Sequence, residues 1–423
     1  MLMGKLTSIM DNGLAVAAKP MSHMESVSFG IWIKAGARYE DTKNNGISHL
    51  LEHLLFKGTK SRGMKEIKEA IEGRGGSFNG FTSEEVTCYL VKLLAKDAEL
   101  GVDILSDMVL NPRLDEKEIE KEKSVIIEEI NMYKDIPSQH VHEVLTEMLW
   151  PKQPLGMPLA GTAESVNSIQ KTDVDAYKDA FYNPNNMFLI GTGRIKRAEL
   201  SNLANKYLSK CPKRETLKFK KATKEQREPF MSLTSKDTEQ THMALGFHAP
   251  NRFSPDRYAA SIMNIVLGAN MSSRLFHTVR DELALCYEIS SSMRKYEDAG
   301  AFVIGAGLDE SKLIKALEII LMELNEIKKE PVLKGELERA KEFYKGQLLF
   351  TMEDTMSLML WLGEKIASGE EALDVKDIIE RIESVSQSDI MRTAGDIFKD
   401  ENMNLAVIGP VKDGNRLKGV LHL

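Results

Sequence analysis

At 423 residues the chain is long enough for two or three domains, each with its own core, and 42% hydrophobic and 28% charged residues are the make-up of an ordinary globular protein. A net charge of −7 excludes a surface built to hold nucleic acid, which carries a basic excess. Three scattered cysteines without a CxxC pair, no run near the roughly 18 apolar residues of a membrane span, and no apolar N-terminal stretch of signal-peptide length lead to the expectation of a soluble, cytoplasmic protein without a membrane partner.

In chain order, MLMGKLTSIMDNGLAVAAKP reads as a first strand with a turn at Asp11-Asn12-Gly13, and residues 26–40, SVSFGIWIKAGARYE, as a sheet strand rich in Val, Ile, Phe and Trp. The polar run DTKNNGIS supplies helix-start chemistry, with Asn45 or Ser48 as the cap. HLLEHLLFKGT, residues 49–59, follows at once. On a helix, His49 and His53 stand one turn apart on one face, where two imidazoles can grip one metal ion, and Glu52 sits beside them where it can hold a water. The order His-x-x-Glu-His reverses the commoner His-Glu-x-x-His and defines the inverzincin pattern.

A second amphipathic helix is expected over 61–71, then glycines at 73, 75 and 76, a hairpin in SFNGFTSEEVTCYLVKLL, and helices over 95–110 and 114–134. At 100° per residue, positions 122, 125, 126 and 133 fall within about 60° of Glu129, the width of a buried stripe. Glu122 and Glu129 thus share a face with Val125, Ile126 and Tyr133, while Glu128 points away. Carboxylates on an apolar face need a partner, either a metal with its supporting groups or lysines and arginines of a neighbouring helix. A Pro/Gly-rich loop, PLGMPLAGTAESV, a helix over 172–181 and a buried strand in NPNNMFLIGTGRI complete the first half.

Residues 206–228 are dominated by charge and read as a solvated connection. Beyond it the plan repeats: QTHMALGFHAPNRF echoes the early strand, NMNLAVIGPV echoes NMFLIGTGRI, and GELERAKEFYKGQLLF echoes EKEIEKEKSVIIEEI, at offsets of roughly 210 to 220 residues. The expected fold is therefore α+β: two tandem, structurally similar domains, each a mostly antiparallel sheet packed with helices. The divisions are 1–208, a linker over 209–230, and 231–423. In this alignment His49, Glu52 and His53 correspond to Ala259, Ile262 and Met263, and Glu122 and Glu129 to Ala340 and Gln347, so the second domain has the architecture and lacks the metal-ligating residues.

AGARYE, GISHLLEHLLFKGT, GGSFNGFTSEEVTCY, IEKEKSVIIEEI, PLGMPLAGT, YNPNNM and, in the second half, MSSRLFHTVRDELALCY together resemble the pitrilysin/insulinase family of zinc metallopeptidases. The branch is that of two-domain chains, including bacterial peptidases and the mitochondrial processing peptidase β subunit. The resemblance implies that His49 and His53 are zinc ligands, Glu52 the general base, and the third ligand a glutamate 76 residues after the second histidine, Glu129 (129 − 53 = 76). It makes Glu122 an acidic residue near the metal, and Arg280 and Tyr287, seven positions apart, the partners of the oxyanion. Asn79 and Gly80 match an exposed strand edge on which extended substrate is laid.

It further implies one Zn2+ per chain, peptide or unfolded-protein substrates, and a homodimer that brings one chain's zinc site against the other chain's Arg280 and Tyr287. The chemistry suits the residue types: three ligands leave a position for water, Glu52 takes its proton, and a peptide bond is hydrolysed. Where relatives commonly carry a glycine, this chain reads ELALCY, with Leu283, Ala284 and Cys286. Cys286 has no histidine partner nearby in sequence and reads as a buried structural thiol, while His140 and His142 read as surface histidines. The leading expectation is a zinc-dependent endopeptidase. The alternative, a non-catalytic binding or assembly subunit, is disfavoured because such subunits typically lose the ligands; a nucleotide enzyme resting on Gly191-Thr-Gly193 lacks the third glycine.

Overall fold

The computed structural model describes residues 7–370, 373–411 and 414–423; the first six residues of the expected opening strand lie outside them. The strands are Thr7–Ile9 (β1), Ala15–Pro20 (β2), Ser26–Ile33 (β3), Ser77–Thr82 (β4), Thr87–Leu94 (β5), Met187–Gly193 (β6), Phe230–Ser235 (β7), Thr241–His248 (β8), Cys286–Lys295 (β9), Gly300–Leu308 (β10) and Met403–Gly409 (β11). The helices of the first half are Ile47–Leu55 (α1), Met64–Glu72 (α2), Ala98–Leu110 (α3), Glu116–Asp135 (α4), Pro137–Leu149 (α5), Ala163–Ser168 (α6), Lys171–Phe181 (α7) and Arg197–Leu208 (α8). Those of the second are Arg257–Leu267 (α9), Leu313–Lys329 (α10), Lys334–Glu353 (α11), Thr355–Ala367 (α12), Val375–Ser384 (α13), Gln387–Ile397 (α14) and Asn415–Val420 (α15).

The chain forms two compact units that interleave along the sequence: unit 1 is Met1–Ile130, Met157–Lys220 and Leu349–Asp374, and unit 2 is Asn131–Gly156, Lys221–Leu348 and Val375–Leu423. The sheet of unit 1 runs β1-β2-β6-β3-β5-β4 and that of unit 2 runs β7-β11-β8-β10-β9. Each has one parallel pair, β2 with β6 and β7 with β11, and is otherwise antiparallel. Matching β2, β6, β3, β5 and β4 to β7, β11, β8, β10 and β9 reproduces every pairing, and β1 is an extra edge strand. The α+β architecture of two similar domains is thus present.

In unit 1, β3 alternates Val27, Phe29, Ile31 and Ile33 into the main core, where they meet Leu50, Leu51 and Leu54 of α1 and Val102 and Leu105 of α3. The other face carries Trp32, which packs with Leu90 and Ile190 against Leu358, Met359 and Leu362 of α12. Both faces of β3 are covered, so SVSFGIWI is apolar almost throughout instead of alternating cleanly with polar residues. In unit 2 the corresponding cover is α5, whose Val141, Leu145 and Leu149 pack against Ala244, Val303, Ala406 and Ile408. Each half of the sequence therefore supplies a helix to the unit built mainly from the other half.

Two expectations change here. His142 lies on α5 with its ring against β10, Nε2 being 3.0 Å from where a Cβ on Gly305 would sit, and both His140 and His142 are part-buried, so neither is a free surface histidine. The charged connection is also pinned down. In unit 1 the Phe219 ring lies under the Arg38 guanidinium at 3.8 Å and edge-on to Tyr39 at 5.4 Å, while in unit 2 Gln226 donates to Met403 O at 2.9 Å.

Candidate metal centre

The motif helix α1 divides cleanly by face. Ile47, Leu50, Leu51, Leu54 and Leu55 are essentially fully buried, and each such side chain stabilises the unit by about 1.5–3 kcal/mol relative to exposure. His49, Glu52 and His53 occupy the opposite face, so packing of the leucines fixes where the polar side chains point.

The start of α1 is set by a residue the sequence reading missed. Glu40, 3% exposed, accepts from Gly46 N at 2.7 Å and Asn45 Nδ2 at 3.0 Å with one oxygen, and from Ser48 N at 2.8 Å with the other. A carboxylate thereby answers the free amides and positive end of the helix, in place of the expected Asn45 or Ser48 cap. Burial raises the Glu40 carboxyl pKa, against those hydrogen bonds. Gly46 sits at φ 95° with Ala160 O at 2.6 Å from where a Cβ would stand, which only glycine tolerates. The PLGMPLAGT loop thus seats the helix end, with Asn45 Nδ2 also donating to Pro158 O at 3.0 Å.

The third donor comes from α4. His49 Nε2 and His53 Nε2 lie 3.9 and 3.7 Å from Glu129 Oε2. Among the described residues this is the one group of three whose ligand atoms all lie within 4.8 Å of one another. Two imidazole nitrogens and a carboxylate oxygen at these separations suit a zinc-sized ion with one position left over. Glu128, the neighbour on the helix, faces solvent. Burial pulls His49 down to about 4, with a further push from His53, which keeps its ring neutral and its lone pair available at neutral pH.

Glu122, 3% exposed one heptad before Glu129, meets both partners considered for it. Its Oε2 is 3.2 Å from His53 Nδ1 and its Oε1 is 2.7 Å from Lys57 Nζ. With Nδ1–H donating to the carboxylate, Nε2 of His53 is left as the lone-pair nitrogen toward Glu129. Val125 does not share the buried face as expected and is 49% exposed, whereas Ile126 is fully buried.

Glu52 Oε2 accepts from Thr82 Oγ1 at 2.6 Å. Burial raises the Glu52 carboxyl, Thr82 and His53 oppose that, and Glu129 adds to it. A carboxylate shifted upward in this way is suited to taking and returning a proton near neutral pH.

Asn79 and Gly80 lie on β4, the outer strand of the unit 1 sheet. Asn79 is exposed, and a Cβ on Gly80 would meet the Phe56 ring at 2.9 Å, so the glycine lets the end of the motif helix pack on the edge strand. Arg280 and Tyr287 belong to unit 2 and are brought together there: the guanidinium lies 4.3 Å from the Phe276 ring and 5.6 Å from the Tyr287 ring, and Tyr287 is 77% exposed. Their approach uses a π-helical turn, Phe276–Glu282, followed by Ala284 at φ 47°. Cys286 is buried, and burial pushes its thiol up to about 11, which leaves it protonated and inert.

Lys57 and Thr82 were also missed. Lys57 stands four positions after His53, a spacing that carried a signal; Thr82 is distant in sequence from Glu52 and meets it only through the fold.

Comparison with known proteins agrees with this geometry. The sequence profile of insulinase (peptidase family M16) matches residues 15–163, and that of the peptidase M16 inactive domain matches residues 168–344. The chain is 35% identical over 404 residues to the "uncharacterized zinc protease YmxG" of Bacillus subtilis strain 168, covering 94% of this chain and 97% of that protein. It is 33% identical over 416 residues to an "uncharacterized zinc protease" of Rickettsia felis, covering 97% and 98%. The crystal structure of a protease from Helicobacter pylori shares the fold, with a TM-score of 0.90, 21% identity and coverage of 96% and 99%. With a donor trio on the half that matches the insulinase profile and none of it on the half that matches the inactive domain, the chain belongs to the insulinase family of peptidases, M16.

Proposed function

We propose that the protein is a zinc-dependent endopeptidase that hydrolyses peptide bonds of unfolded peptides or short protein segments. The observation that carries the reading is the convergence of His49, His53 and Glu129 beside a part-buried, hydrogen-bonded Glu52. The three converging residues would hold one zinc per chain, and the ion, when bound, would supply Lewis acidity to a water and to the scissile carbonyl.

Glu52 accepts the proton of that water and later returns one to the leaving amine. Glu122 and Lys57 keep the His53 ring turned so that Nε2 faces the donor cluster. The free edge of β4, with Asn79 and Gly80, receives the substrate main chain as an added strand, which recognises backbone with little regard to sequence. Arg280 and Tyr287 donate to the oxyanion that forms on the peptide carbonyl. By likeness to its family the chain acts as a homodimer, and its scattered cysteines favour the cytoplasm. Among the described residues no helix is long and apolar enough to cross a membrane.

The test is metal analysis together with peptide turnover. Purified protein is expected to carry about one zinc per chain, to lose activity with a chelator and to regain it with zinc. Glu52→Gln is expected to lower turnover by about 100- to 10,000-fold with zinc retained, and full turnover in that variant overturns the mechanism. Mixing Glu52→Gln chains with Arg280→Ala chains tests sharing between subunits, since recovered activity requires a site completed by both.

A further inference from the structure

Thr82 is the last residue of β4, and its side chain turns inward at 8% exposure. Its hydroxyl proton goes to Glu52 Oε2 at 2.6 Å, a short contact of the kind made to a charged acceptor. The hydroxyl beyond it, Thr87 Oγ1, is 3.4 Å away and donates its own proton to Ala35 O at 3.0 Å. Each hydroxyl therefore has its own fixed direction, Thr82 toward the carboxylate and Thr87 toward a main-chain carbonyl.

The carboxylate of Glu52 is thus held by one oxygen. Two oxygens related by rotation about one bond are interchangeable unless something distinguishes them, and a base that must meet a water at hydrogen-bond distance gains from having that rotation removed. Resting on the reading of Glu52 as the base, we propose that Thr82 is a positioning residue: it clamps Glu52 Oε2 from the end of the substrate-binding edge strand, so that Oε1 is the oxygen presented to the water. The clamp belongs to the strand that carries Asn79 and Gly80, so one element both lines the substrate edge and orients the base.

The experiment compares Thr82→Val, which keeps the shape and removes the donor, with Thr82→Ser, which keeps the hydroxyl. Thr82→Val is expected to lower kcat by about 10- to 100-fold, with KM within about twofold and zinc content unchanged, while Thr82→Ser stays within about threefold of the parent. Combined with Glu52→Gln, Thr82→Val is expected to add less than about a twofold loss, because the clamp acts through Glu52. A Thr82→Val enzyme within about threefold of parent kcat overturns the proposal, and so does an equal loss with and without Glu52→Gln. Should Thr82→Val fail to fold, Thr82→Ala set against Thr82→Ser decides on the same readouts. An active Thr82→Val beside an inactive Glu52→Gln removes only the clamp, whereas an active Glu52→Gln removes the base itself.

Discussion

The helices α1 and α9 hold the same place in two like-built units, yet one carries a donor cluster and the other is plain core. His49 is the third residue of its helix and Ala259 the third of its own; Glu52 and His53 then correspond to Ile262 and Met263. Ile262 and Met263 are fully buried and Ala259 nearly so, which makes that face of α9 part of the packing of unit 2. Likewise α4 and α11 are both 20 residues long, with Ala340 where Glu122 stands and Gln347 where Glu129 stands. The sheet and its helices are a scaffold indifferent to chemistry, and the donor trio His49, His53 and Glu129 is what sets unit 1 apart.

The sharpest way to break this comparison is to exchange its polar and apolar members. Ile262→Glu would bury a carboxylate without a partner and is expected to cost about 3–5 kcal/mol in denaturant unfolding. Glu52→Leu in the zinc-free protein is expected to change stability by about 1 kcal/mol or less, since the α1 face is only part-buried. Equal costs at the two positions would mean that the donor face of α1 is also structural core. Next in size, Glu122→Gln is expected to weaken zinc binding by about 10- to 100-fold, and Lys57→Met by about tenfold or less, measured by competition with a chromophoric chelator.

A pH effect is expected in unit 2 as well as at His49 of unit 1. In unit 2, burial lowers both His142 and His248 to about 4, with Arg294 and His242 adding to the first and Lys224 to the second. Their folded pKa lies below the unfolded value near 6.5, so the unfolded chain binds more protons below that pH. The stability they contribute is full above about pH 6.5 and is lost as pH falls toward about 4. Hydrogen exchange, corrected for its intrinsic pH dependence, is expected to show α5 and β8 losing protection between pH 7 and pH 5, and His142→Gln is expected to reduce that loss. The smallest effect is expected at Ala284, whose φ of 47° favours glycine. Ala284→Gly should stabilise unit 2 by about 1 kcal/mol or less, read as a raised Tm.

Much of the site could be read along the chain because it is made of short-range periodicity. The spacing of His49, Glu52 and His53 is a property of one helix, and the separation of Glu122 from Glu129 is one heptad of another, so the 100° step assigns their faces without knowing what lies opposite. Val125 shows where that reasoning stops: the stripe it was assigned to is narrower than expected, and the residue is half out in solvent. Glu40 was invisible as a cap because its carboxylate reaches α1 from outside the helix, six to eight positions before the amides it accepts. The exchange of α5 and α12 was invisible for a related reason. An amphipathic pattern states that a helix has an apolar face and says nothing about which sheet will cover it.

The sequence by itself determined the local elements, the duplication that makes two sheets of one topology, and the residue types able to hold a metal. These follow from hydrophobic period and repeat, which are one-dimensional. Only the tertiary structure decided that Glu129 Oε2 meets both Nε2 atoms, that Glu122 is shared between His53 and Lys57, and that Thr82 holds Glu52. Each of these contacts joins two elements far apart in the chain, and their distances are set by how apolar faces pack, which no single segment encodes.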